Sequence, residues 1–264
     1  MSIENLKLVY FSPTKTTQSV VKTIGSGTNI KHVEEINLTT GFKESVEFDK
    51  NTLTIIGVPV YGGRVPLVAF ERLKSLKANN SPVVIITVYG NRDYDDALLE
   101  LKDLVSDNGF IVIAAAAFIG EHSYSTLNKP TAQGRPNFSD LKLAENFGGE
   151  IFEKLVRVSS IDEINELKVS GNYPYKELKN KPSLSPETIL DKCILCGECI
   201  DVCPTGAINM DDQIHTIKQD CVWCLACVKF CKQNARIMDN EIIENFRDWL
   251  VDNCSDPKEV ELYI

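Results

Sequence analysis

Over residues 1–158, continuous apolar runs alternate with stretches of helical spacing. The runs fall at 6–12, 33–38, 53–60, 83–89 and 111–119, and helical patterns at 17–24, 67–76, 95–105 and 141–156. Strands that are apolar without alternation are buried on both faces, and intervening helices are the crossovers of a parallel sheet. The pattern therefore predicts an α/β domain built on a doubly wound, five-stranded parallel sheet. Ligands bind such sheets beyond the carboxyl ends of the strands, near the switch in strand order. Function is thus expected in the loops after the first, third and fourth strands.

Beyond this domain the periodicity stops. Residues 159–185 read as a linker in which Pro174 and Pro182 favour a semi-rigid, extended path, with Tyr173 and Tyr175 placed to pin it. A compact cysteine-rich unit follows at 186–238, then a helix and acidic tail at 239–264. Within the tail, Glu241–Asn253 sets Ile242, Phe246, Trp249 and Leu250 on one helical face, a packing stripe.

Eight of the nine cysteines lie in two copies of one spacing. The first reads Cys193-x-x-Cys196-x-x-Cys199-x-x-x-Cys203-Pro204, the second Cys221-x-x-Cys224-x-x-Cys227-x-x-x-Cys231. A thiolate every third residue lets a tight loop offer sulfur to three irons of a cubane, and the fourth ligand comes from the other copy. This assigns Cys193, Cys196, Cys199 and Cys231 to one [4Fe–4S] cluster, and Cys221, Cys224, Cys227 and Cys203 to a second. Disulfides would need an oxidising compartment, whereas the N-terminus passes straight into a strand with no signal-peptide pattern. Paired zinc sites use C-x-x-C but not this third cysteine. At these positions the chain resembles the bacterial two-cluster ferredoxins, with Lys232 after Cys231 where the first copy has Pro204. Cys254 is left over as a helix-end residue.

The three loops carry their own chemistry. After the first strand comes Ser12-Pro13-Thr14-Lys15-Thr16-Thr17. Hydroxyls and amides at a helix N-terminus form a nest for phosphate. One hydroxyl would suffice for a cap, so this cluster favours a phosphate. After the third strand, Pro59-Val60-Tyr61-Gly62-Gly63 offers glycines for close backbone approach and a ring to stack, or else a plain turn. After the fourth comes Tyr89-Gly90-Asn91-Arg92-Asp93-Tyr94-Asp95. The G-x-G-x-x-G fingerprint of dinucleotide folds is absent after the first strand.

Together these loops resemble the flavodoxin family, in which the first (S/T-x-T-G-x-T) holds the phosphate of FMN and the other two sandwich its ring. The resemblance implies that Ser12, Thr14, Lys15, Thr16 and Thr17 bind phosphate, Lys15 standing where the motif has glycine. Pro59, Val60, Tyr61, Gly62 and Gly63 would line one side of the ring. Tyr89, Gly90, Asn91, Arg92, Tyr94 and Asp95 would line the other, Asp95 destabilising the anionic hydroquinone. With Gly120-Glu121-His122-Ser123 and the cysteine motifs, nearly the whole chain is similar to the flavodoxin–ferredoxin fusions of anaerobes, the EFR-type flavoferredoxins. Residues 121–138 lack regular pattern and are expected to cover the flavin, with His122 and Arg135 as contacts.

Net charge of −9 argues against nucleic acid, which needs a basic face. No apolar run reaches the ~20 residues of a membrane span. The acidic end suits a basic partner or plain solvation. Thiolates on iron imply the cytoplasm. The expectation is an electron-transfer flavo-iron–sulfur protein linking low-potential redox partner proteins, compatible with a homodimer. The alternative is an FMN-dependent oxidoreductase that reduces a quinone, nitro compound or ferric chelate. No catalytic Ser-His-Asp set accompanies its three histidines at 32, 122 and 215, which favours the carrier.

Overall fold

The computed structural model describes residues 3–42, 45–178 and 182–264. Of the expected linker, residues 179–181 lie outside the described residues.

Five strands, β1 (Asn5–Tyr10), β2 (His32–Asn37), β3 (Thr52–Pro59), β4 (Ser81–Tyr89) and β5 (Phe110–Ile119), pair in parallel in the order β5-β4-β3-β1-β2. This is the flavodoxin-like doubly wound order, whose switch in direction lies between β1 and β3. Helices α1 (Thr16–Gly27) and α4 (Phe138–Arg157) cover one face, and α2 (Leu67–Leu73) and α3 (Ala97–Asp107) the other. Residues such as Ile55, Ile56, Val84, Ile85 and Ala115 are wholly buried, which explains why β3, β4 and β5 read as apolar runs. The edge strand β2 is exposed except at Ile36, and its expected apolar run, broken by Glu34, Glu35 and Asn37, is not one.

The sheet has six strands rather than five. After the cysteine-rich unit the chain returns, and its last residues pair antiparallel with β5: Leu262 lies opposite Ala116 and Tyr263 opposite Ala115. The sequence reading left this end as a tail because a three-residue strand gives almost no periodic signal. In retrospect Val260, Leu262 and Ile264 alternate with Glu261 and Tyr263.

The cysteine-rich unit comprises β6 (Glu187–Thr188), α5 (Glu198–Asp201), the hairpin of β7 (Ile208–Met210) with β8 (Ile214–Thr216), α6 (Ala226–Lys229) and β9 (Arg236–Ile237), which pairs with β6. Helix α7 (Glu241–Asn253) then leads to the sixth sheet strand, β10 (Glu261–Tyr263). The buried side of α7 is Ile243, Arg247 and Leu250, while Ile242 and Trp249 are exposed, so the packed stripe is turned one position from the expected one. Ile243 and Leu250 share a core with Tyr124, Leu225 and Met238, which come from both halves of the chain.

Helices α1 and α4 cross so closely that backbone fills the gap. A Cβ on Gly148 would lie 2.0 Å from the Ile24 carbonyl oxygen, whereas one on Gly149 would meet only the Gly27 carbonyl at 3.7 Å. Gly148→Ala is expected to destabilise the fold by about 1–3 kcal/mol through overpacking. Gly149→Ala, on the same helix, should be neutral or stabilising by up to about 1 kcal/mol. Denaturant unfolding of both variants checks the pair.

Candidate cofactor sites

A cavity of about 370 Å³ opens at the carboxyl edge of the parallel strands. That size falls at the low end of small-molecule sites. Thr14, Thr16 and Thr17 line it at the start of α1, where Lys15 stands at the N-cap position in the left-handed region (φ 65°) and its own side chain makes no capping bond. The helix dipole and the amides of this first turn favour an anion. Ser12 is turned to structure: its hydroxyl accepts from the Gln18 amide at 3.0 Å and its own amide donates to Thr39 Oγ1 at 2.8 Å. The Lys15 ammonium lies over the ring of Phe230, 4.9 Å from its centroid.

Pro59, Val60, Tyr61, Gly62 and Gly63 form one wall. Tyr61 and Arg64 exchange backbone hydrogen bonds around Gly62 (φ 66°) and Gly63 (φ 90°), a turn with two left-handed central residues. A Cβ on Gly63 would come within 2.0 Å of Asp95 Oδ2. The Tyr61 phenol is pushed well above its usual range, mainly by burial and further by Cys224, Tyr124 and Cys221 nearby.

From the loop after β4, Tyr89, Gly90, Arg92 and Asp93 line the cavity, but Asn91, Tyr94 and Asp95 do not. Asn91 is buried and donates to the carbonyls of Cys254 (2.6 Å) and Asp256 (2.9 Å). The Tyr94 hydroxyl donates to Glu261 at 2.6 Å. Asp95 is ion-paired with Arg92 and with Lys176, 2.8 Å away; although burial opposes it, these cations hold its carboxyl below the usual range. Its charge is compensated, and the side chain is unsuited to the flavin-tuning role expected of it.

The opposite wall comes from the irregular loop after β5, the cysteine-rich unit and α7. Glu121, His122 and Tyr124 meet Trp223, Ile243 and Phe246 there. His122 packs between Gly90 and the rings of Tyr124 and Phe246, with centroids at 5.5 and 6.1 Å. Its Nδ1 accepts from the Tyr124 amide at 3.1 Å, which leaves the proton of the neutral ring on Nε2. Arg135 is elsewhere: its guanidinium donates to Asp140 at the N-terminus of α4 and to the Lys258 carbonyl. In the linker, Tyr175 donates to Asp103 at 2.5 Å, while Tyr173 is exposed.

Two smaller cavities lie in the cysteine-rich unit. One is lined by Cys193, Cys196, Cys199 and Cys231, the other by Cys203, Cys221, Cys224 and Cys227. These are the two quartets that the spacing assigned, each with its fourth thiol from the other copy. The backbone repeats as well. Leu195 and Gly197 in the first loop, and Trp223 and Leu225 in the second, all have φ between 56° and 80°. Alternating left- and right-handed residues curl the amides into a concave nest for an anion. The Ala235 amide donates to Cys231 Sγ at 3.3 Å. Arg236, 3% exposed, lines the first cavity and has a buried Nε without a partner among the described residues. An orphaned guanidinium donor beside four thiols fits an anionic cluster, since leaving it unmet is costly. Burial pushes the Cys224 thiol up to about 12 and that of Cys227 up to about 11, so ligation must displace those protons.

The sequence model of the 4Fe-4S binding domain matches residues 186–209. The chain joins a flavodoxin-like domain to a ferredoxin-like one. Among curated proteins none matches it significantly. A flavodoxin from the domain Archaea is similar at 18% identity, with TM-score 0.42 over 58% of this chain and 99% of its own. Oxidised flavodoxin 1 from Bacillus cereus is 14% identical, with TM-score 0.42 over 59% and 99%. A Fusobacterium nucleatum flavodoxin bound to flavin mononucleotide is 16% identical, with TM-score 0.39 over 59% and 98%. Among the described residues, no helix is long and apolar enough to cross a membrane.

Sequence reasoning missed the ferredoxin-side wall. Val222 and Trp223 sit inside the second cysteine motif, whose spacing points only to the ligands; Phe246 falls in the expected packing stripe and Ile243 outside it. No local signal brings residue 223 to residue 61. Arg236 carried no signal except its place five residues after Cys231.

Burial chiefly, helped by Lys229 and Arg92, lowers His122 from 6.5 to about 4. A histidine depressed on folding stabilises the fold fully above 6.5, and that contribution is lost as pH falls toward 4. Between pH 7 and pH 5 the protein should lose about 2 kcal/mol that a His122→Gln variant does not lose. Denaturant midpoints at the two pH values measure it.

Proposed function

We propose that the chain is an intramolecular electron-transfer protein that holds FMN in the large cavity and two [4Fe–4S] clusters on the cysteine quartets. One observation carries the reading. Val222 and Trp223, the two residues between Cys221 and Cys224, are also wall residues of the cavity. Ligand loop and flavin pocket thus share their lining, and Tyr61 lies against both.

When bound, the clusters supply single-electron steps and the flavin exchanges one or two electrons. The residues of the chain do the positioning. Thr14, Thr16 and Thr17 with the α1 amides hold the phosphate, and the Tyr61–Gly63 and Tyr89–Gly90 loops bracket the ring. The nests around Leu195–Gly197 and Trp223–Leu225 donate to the clusters and, with Arg236, stabilise their added charge. Tyr124 donates from its hydroxyl to the Trp223 carbonyl at 3.4 Å, and Trp223 Nε1 donates to the Leu184 carbonyl at 2.7 Å. These bonds hold the shared wall rigid.

Cys224 is buried whereas Cys196 is exposed. The loop of the second quartet lines the cavity through Val222 and Trp223, and exposure of Cys196 supports exchange between the first quartet and an outside redox protein in a reducing cytoplasm. Reduction of a small acceptor is less well supported, because Trp223, Ile243 and Phe246 occupy the side from which a substrate would reach the ring.

Anaerobic purification with iron, sulfide and flavin analysis tests the reading. About eight irons and one FMN per chain are expected. Cys231→Ser and Cys203→Ser should each perturb one cluster's spectrum and spare the other's. Eight irons without flavin would reduce the assignment to a ferredoxin carrying an α/β module. Four irons would refute the pairing of quartets.

A further inference from the structure

Arg236 stands between the two thiol quartets. It lines the cavity of Cys193, Cys196, Cys199 and Cys231, yet its Nη2 lies 3.8 Å from Sγ of Cys227, a member of the other quartet. Two hydroxyls fix the fork: Nη1 donates to Thr188 Oγ1 at 2.6 Å and Nη2 to Thr216 Oγ1 at 2.8 Å. Both acceptors are neutral. Among the described residues Arg236 has no carboxylate partner, so a full positive charge, 3% exposed, is held on two hydroxyls and the Cys227 sulfur. A buried cation without a counter-ion is expensive. Only something anionic on either side makes the arrangement favourable. The remaining donor, Nε, is buried and unpartnered among the described residues.

We infer that Arg236 is a shared electrostatic regulator of the two clusters, a positioning residue whose single charge raises both reduction potentials. The inference rests on the two-cluster reading above. A fixed positive charge favours the more negative, reduced state of each neighbouring cluster, and a hydrogen bond to a ligating sulfur acts in the same direction. Because Nη2 reaches Cys227 directly, the Cys203–Cys221–Cys224–Cys227 cluster receives both effects, and the other cluster chiefly the charge. Removal of the charge should therefore lower both potentials, that cluster's more.

The test is an anaerobic redox titration of the intact protein followed by electron paramagnetic resonance, comparing wild type with Arg236→Gln and Arg236→Lys. At a poise that half-reduces the second wild-type cluster, Arg236→Gln should cut its reduced-to-oxidised ratio about tenfold, the worth of a charged hydrogen bond. Arg236→Lys, which keeps the charge and loses the fork, should fall between. Full iron content with both potentials unmoved in Arg236→Gln would overturn the inference and leave the proposed function intact. Wild-type protein without two distinguishable clusters would instead overturn the proposed function. If Arg236→Gln does not retain iron, Thr216→Val decides. A lowered potential at the second cluster alone supports the inference, and an unchanged one overturns it.

Discussion

The carboxamide of Asn91 ties the loop after β4 to the C-terminal segment of the chain. Its Nδ2 donates to the carbonyls of Cys254 and Asp256, and its Oδ1 accepts from the Lys258 amide at 3.3 Å. Asn91 belongs to the loop after β4, in the left-handed region at φ 65°, a conformation asparagine tolerates better than most residues. Each buried bond contributes roughly 1 kcal/mol net, but an orphaned carbonyl costs more than the bond is worth. The end of α7 is therefore fixed beside a cavity-lining loop, and the chain beyond it is delivered to β5 as a sixth strand. Without that return the edge of β5 would be unpaired and the cavity would lose the support of α7.

The same constraint explains why the parallel sheet was legible in the sequence and the enclosure was not. Strands buried on both faces announce themselves as apolar runs, and the crossovers as helical spacing, so five strands and four helices fall close to where periodicity places them. The cysteine quartets were legible for a different reason: ligand spacing is a local property of a tight loop. The walls of the cavity are non-local. Trp223 reaches it because Leu184 and Tyr124 hold its loop, and α7 reaches it because Asn91 holds the turn behind it. Side chains of Asn91, Tyr94 and Asp95 looked like ligand contacts since they follow a strand end, yet their partners lie far along the chain, at 254–263 and 176.

Lys15 shows how a local departure is absorbed. A glycine would adopt φ 65° without penalty, and a lysine there costs about 1–2 kcal/mol. The ammonium lies over Phe230, next to Cys231, a cation–π contact between the two halves worth about 0.5–2 kcal/mol. The two figures are comparable, so the residue that strains the first loop also fastens that loop to the ferredoxin-like unit. Arg72 acts likewise from the other side of the sheet, donating to the Leu38 and Thr39 carbonyls at 2.6 Å and to that of Pro204, beside Cys203, at 2.5 Å. Both cations tie a cysteine-bearing loop to the edge where the cavity lies.

Charge at the C-terminal end follows from the same economy of contacts. Composition offered that acidity as a docking face for a basic partner. In the fold, Glu244 and Asp248 both pair with Lys129, at 2.9 and 2.6 Å, and Asp239 pairs with the buried Arg247 at 3.1 Å. Arg247 in turn donates from Nε to the Tyr124 carbonyl at 3.2 Å. Glu261 accepts from Tyr94 and Tyr263. Several of the tail's carboxylates are thus directed inward, onto the loop that walls the cavity. Exposed pairs such as those of Lys129 are weakened by salt and individually worth little, whereas the Arg247 link is shielded from it. Net acidity read from a sequence cannot be equated with a free acidic surface: here part of it fastens α7 to the loop that walls the cavity.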